Sequence, residues 1–173
     1  MTEFNRRIYH SPVEMIQEIN DLMSRYGEIR QLIHEKTLSP AFRERLMLIV
    51  TEVNECRYCS YAHAQMALEE DISKEEIRAL KQGTLSEFPD EQMPAFLYAQ
   101  HWAETDGDPD DSARERVIEE YGETVLGQIE LAMEMIRTAN LLGNTFDYLI
   151  YKMSFGRWNP ARFMDKLVES YLK

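Results

Sequence analysis

The chain has 173 residues, with 19 Lys and Arg against 31 Asp and Glu, a net charge of −12, 44% hydrophobic residues, and only 7 Gly and 6 Pro. That describes one ordered domain, long enough to bury its own core without a disulfide or structural metal. The negative charge repels phosphate backbones and anionic lipid, which speaks against nucleic acid or a membrane surface as partner, and the absence of an apolar signal segment or spanning run leads us to expect a cytoplasmic protein.

Helix-period apolar spacing recurs throughout, with no sustained apolar/polar alternation, so an all-α chain of about eight or nine helices is expected. Ser11-Pro12-Val13-Glu14 reads as a capping box opening a first helix that runs to Gly27, followed by a short helix over 28–36. Ser39-Pro40 opens a third, with Leu46, Ile49, Val50 and Val53 on one stripe and an interruption at Asn54. A fourth, about 55–70, carries both cysteines; Ser73 with Glu76 caps a fifth that Gly83 ends; Asp90 to Thr105 forms a sixth. After the acidic loop Asp106–Asp111, Ser112 with Glu115 caps a seventh ending at Gly122, a long segment covers 124–153, and Asn159-Pro160 starts the last helix beyond Gly156. The whole of 1–173 is read as a single domain, with 1–38 an N-terminal helical extension and 154–173 a C-terminal helix.

The chemistry concentrates between residues 44 and 63. Cys56-Arg-Tyr-Cys59-Ser-Tyr-Ala-His63 contains C-x2-C-x3-H, which places Cys59 and His63 one helical turn apart on one face and lets Cys56 and Cys59 bridge a single turn. A thiol at a helix start has its thiolate favoured by the dipole, and an imidazole one turn on can accept its proton. If the chain turns at Asn54, Glu44 returns beside His63, where a carboxylate would orient the imidazole. Three readings of the cysteine pair compete: redox chemistry, a zinc site with Cys56, Cys59 and His63 as ligands, and inert thiols. Structural zinc sites usually add a second ligand pair, which this chain lacks. Haem attachment is excluded, because Ser60 stands where that motif needs histidine. His10, His34 and His101 have no partner at ligand or catalytic spacing, and the acidic loop fails the calcium-loop template at its sixth and twelfth positions.

The chain resembles the carboxymuconolactone decarboxylase-like superfamily in its thiol-active, alkylhydroperoxidase D-like branch. The resemblance is strongest in Phe42-Arg-Glu44-Arg-Leu-Met-Leu-Ile-Val, in the stretch from Asn54 through Cys56, Cys59 and His63 to Leu68, and in Asp71-Ile-Ser-Lys-Glu-Glu-Ile-Arg-Ala-Leu. The family pattern of a glutamate, eleven residues and C-x2-C-x3-H falls on Glu44, Cys56, Cys59 and His63. The resemblance implies an all-helical bundle assembled as trimers or hexamers, cofactor-free and metal-free peroxide or disulfide chemistry, and the second cysteine, Cys59, as the reactive one. Better-known members carry a histidine between the cysteines where this chain has Tyr58. The expected function is a cysteine-dependent peroxidase or disulfide oxidoreductase with Glu44 and His63 as proton relay, reset by an external dithiol. The alternatives are a small-molecule decarboxylase or lactone-processing enzyme of the same fold, or a non-catalytic oligomer in which the pair is a redox switch.

Overall fold

A computed structural model describes residues 4–34, 37–84, 88–157 and 161–172, excluding the side chains of 161, 162 and 165. Among the described residues there are nine α-helices, one 3-10 turn and no strand: α1 (Pro12–Ser24), α2 (Tyr26–His34), α3 (Pro40–Asn54), α4 (Arg57–Glu69), α5 (Lys74–Lys81), α6 (Met93–Glu104), α7 (Asp111–Tyr121), α8 (Glu123–Met153) and α9 (Ala161–Leu172). The all-α expectation therefore holds.

The organising element is α3. Ser39 caps it by accepting from the Phe42 amide, Pro40 occupies its first turn, and the run from Leu46 to Thr51 is buried on every side. A stretch buried all round sits inside the molecule, and α3 packs against α4, α5, α6 and α8. Phe42 meets Phe96 of α6 edge-on, and Phe96 meets Phe88 in the same way. The 31-residue α8, about 46 Å long at 1.5 Å per residue, runs along the other side of α3 and receives α1, α2 and α7. Helix α9 lies on α4, where Tyr171 meets Tyr61 edge-on.

Several boundaries differ from the sequence reading for local reasons. Only Arg25 separates α1 from α2, so Gly27 lies inside α2 instead of ending α1. Ser11 accepts from the Glu14 amide as expected, but the Glu14 carboxylate accepts from His10 and not from Ser11. Helix α7 is capped by Asp110, not Ser112. The Asp110 carboxylate accepts from the Ala113 amide at 2.9 Å and also holds the Ser112 hydroxyl, a stronger acceptor taking the role of a weaker one. The starts predicted at Asn159-Pro160 and the end at 36 lie outside the described residues.

The N-terminal segment before α1 is not helical, yet it is tied down. Arg7 donates to the terminal carbonyls of α6 at Ala103 and Glu104 and to Asn54 Oδ1, while the Tyr9 amide donates to Thr145 Oγ1 of α8 at 3.0 Å. A guanidinium on the last carbonyls of a helix satisfies acceptors that have no partner within it. No described helix is long and apolar enough to cross a membrane.

Candidate active site

The joint between α3 and α4 builds the site. α3 ends at Asn54, and Glu55 takes a left-handed backbone (φ 55°), reversing the chain in a single residue. Cys56 then becomes the N-cap of α4. Two helices joined so tightly lie side by side, which returns the start of α3 to the second turn of α4. The outcome is a hydrogen bond of 2.7 Å between His63 Nδ1 and Glu44 Oε2, with side chains only 15% and 6% exposed. A carboxylate only accepts, so Nδ1 donates this bond and Nε2 is the ring nitrogen turned away from Glu44.

The cysteines are free thiols; Cys56 is fully buried and Cys59 partly exposed. Their sulfurs lie 2.6 Å apart. Cys56 Sγ also accepts from the Cys59 backbone amide at 3.4 Å, the bond an N-cap makes to the first turn. These contacts separate the two ionisations. Its hydrogen bond with the Cys59 side chain, then the Cys59 amide and the Arg6 guanidinium, hold the Cys56 thiol below its ordinary range despite burial. Cys59 is pushed far above its ordinary range by that same hydrogen bond, by burial and by the neighbouring charge. Of the two thiols, Cys56 is therefore the one that ionises more readily.

The sequence argument makes Cys59 the attacking thiol with His63 as its base; here the Cys59 sulfur lies against Cys56. Among the described residues the hydrogen bond of His63 is to Glu44.

Behind the pair stands a polar layer that motif reading missed. On α8, Asn140, Asn144 and Asp147 are buried at helical spacing. Tyr58 donates to Asp147 Oδ1 at 2.7 Å, Arg6 donates to Asp147 Oδ2 at 2.7 Å, and Asn144 Nδ2 donates to the Asn54 carbonyl at 2.7 Å. Between them Gly143 leaves room for the sulfur: a Cβ there would come 2.9 Å from Cys56 Sγ and 3.5 Å from Tyr58 Cδ2. A glycine and polar residues repeating at three and four along a long apolar helix were the available signal.

The remaining candidates sort simply. Glu52 accepts from Lys81 at 3.1 Å and from Ser60 at 2.9 Å, clamping α3, α4 and α5 in a half-buried cluster. His101, expected without a partner, pairs with Asp110 at 2.9 Å on the surface. Among the described residues no group of three His, Cys, Asp or Glu side chains is placed to hold a metal ion.

No curated protein and no solved structure matches the chain. A family model does: that of the carboxymuconolactone decarboxylase family matches residues 20–105, from α1 to the end of α6, and so spans Glu44, Cys56, Cys59 and His63. With an all-helical fold and a matching family model, the chain belongs to the carboxymuconolactone decarboxylase family.

Proposed function

We propose that the protein is a thiol-dependent oxidoreductase that reduces peroxides or disulfides through Cys56 and Cys59, with His63 and Glu44 moving the protons. The observation that carries this reading is the pair itself: two free thiols 2.6 Å apart at a helix start, one buried and one within reach of solvent. Such a pair is built to exchange a proton and then form a bond.

The cycle balances as follows. The Cys59 proton crosses to Cys56, and the Cys59 thiolate attacks one oxygen of the peroxide. A sulfur–oxygen bond forms, the oxygen–oxygen bond breaks, and the departing alkoxide takes the Cys56 proton through His63. The Cys56 thiolate then attacks the Cys59 sulfenic acid, forming the disulfide and expelling hydroxide, which a solvent proton delivered through His63 converts to water. An external dithiol returns two electrons and two protons by exchange. With a disulfide substrate, Cys59 forms a mixed disulfide and Cys56 resolves it.

The active form is a homo-oligomer located in the cytoplasm. Leu142, Phe146, Leu149 and Met153 form an exposed apolar stripe along α8, and Val13, Ile16 and Met23 another along α1; stripes of this kind are covered in closed assemblies.

The deciding experiment is a peroxide assay with a small panel of dithiols on wild type and Cys59→Ser. Many turnovers per chain, abolished in the variant, are expected. A single stoichiometric oxidation accompanied by a change in particle size would favour a redox switch, and turnover unaffected by Cys59→Ser would end the thiol reading.

A further inference from the structure

The phenol of Tyr58, the residue between the cysteines, is directed to α8, where it shares Asp147 with Arg6. The two oxygens of that carboxylate are divided between them, and Arg6 Nη1 also reaches Asn144 Oδ1 at 3.3 Å. The ion pair is buried, with side-chain exposures of 8% for Arg6 and 0% for Asp147. Taking both charges out of water is costly, so a pair in this place is weak evidence for stability and calls for another role. Its position supplies one. The Tyr58 ring and Cys56 Sγ both lie against the backbone of Gly143, so the line from Arg6 through Asp147 to Tyr58 ends beside the sulfur.

The charged groups around Cys56 come from three directions. Cys59 acts from α4, Arg6 from the N-terminal segment in favour of the thiolate, and Asp147 from α8 against it, while Glu44 of α3 is engaged by His63. Burial, and then Asp147, keep the Tyr58 phenol protonated and donating.

We infer that Arg6 is a positioning residue of the dithiol centre: from the N-terminal segment it neutralises the buried Asp147, fixes Tyr58 through it, and supplies the cation that matches the Cys56 thiolate. The inference rests on Cys56 and Cys59 being the reacting pair. Arg6 and Asp147 both lie outside the family-matched residues 20–105, so this half of the centre is supplied by elements the family model does not span.

The test uses the reduced full chain and four proteins: wild type, Arg6→Met, Asp147→Asn, and the double variant, each checked for fold by circular dichroism. Thiolate formation is followed by ultraviolet absorbance against pH. In Arg6→Met the midpoint rises, leaving about tenfold less thiolate at a given pH below it, the effect of one near charge. In the double variant both charges are gone and the thiolate fraction returns to within about threefold of wild type, where a merely structural role would leave it as impaired as the single variant. Asp147→Asn alone lowers the midpoint, and this variant decides the matter if Arg6→Met fails to fold. An unmoved midpoint in Arg6→Met, a double variant no better than it, or a raised midpoint in Asp147→Asn overturns the inference. None of these readouts needs peroxide. A chain that shows the Arg6-dependent midpoint without peroxide turnover therefore refutes the proposed activity alone, and turnover with an Arg6-independent midpoint refutes this inference alone.

Discussion

A Cβ on Gly143 of α8 would meet the sulfur of Cys56 at 2.9 Å, closer than non-bonded atoms approach. Replacing a mid-helix glycine by alanine ordinarily gains about 1 kcal/mol. Here the sulfur is buried and anchored as the cap of α4, so the added methyl overpacks the joint at a cost of about 1–3 kcal/mol. Gly143→Ala is expected to unfold at lower denaturant than wild type and to form its disulfide more slowly. Equal or greater stability in a urea titration would show that the sulfur moves aside freely.

The pH behaviour of the pair follows from the two opposite directions. With Cys56 below and Cys59 far above the ordinary thiol range, the reduced protein forms its first thiolate at lower pH than an ordinary thiol and its second only well above that range. The Cys56 contribution to stability is present above the unfolded value of about 8.5 and is lost as pH falls through its lower folded value. Cys59 works the other way: the unfolded thiol ionises above that value while the folded one cannot, so stability declines as pH rises. Ultraviolet titration is expected to count one thiolate per chain where a denatured control counts two. Two thiolates in the folded protein just above the ordinary range would contradict the opposed shifts of the two thiols.

Limiting iodoacetamide is expected to label Cys59, because Cys56, although its thiol ionises more readily, is fully buried. Peptide mapping reads the outcome directly. Label on Cys56 would mean that the charge outweighs access.

His63→Ala separates the relay from thiol ionisation. Since among the described residues the hydrogen bond of His63 is to Glu44, the thiolate midpoint is expected to stay within error while peroxide turnover falls by about 10²–10⁴-fold, the usual worth of a general acid–base group. The variant also leaves buried Glu44 without its partner, at a cost of about 1–3 kcal/mol. A midpoint that moves with turnover would place His63 in direct contact with the thiolate.

Assembly is tested by light scattering. The exposed stripes on α1 and α8 predict a stable oligomer at micromolar concentration, and Phe146→Glu is expected to disperse it. A wild-type chain that scatters as the 20.4 kDa monomer would overturn this.

Much of this architecture was legible beforehand. Ser39-Pro40, Ser73 with Glu76, and Gly122 mark true helix ends because capping is local chemistry that a few adjacent residues decide. The contact of Glu44 with His63 could be foreseen from one turn between two helices. The contact of the Cys59 sulfur with Cys56, set by ångströms, could be foreseen only as sterically open. Arg6 and Asp147 are separated by 141 positions and meet only after folding, so no spacing rule connects them.

Cys56 serves both as the cap of α4 and as one half of the dithiol, and this joins helix fraying to redox poise. Only the reduced sulfur can present a full anion to the Cys59 amide; once bonded to its neighbour it loses that charge and most of its strength as an acceptor. The first turn of α4 should therefore exchange its amide hydrogens faster in the oxidised protein. By reciprocity, whatever the cap contributes to the reduced form raises the reduction potential by the same free energy, roughly 20 mV for each 1 kcal/mol.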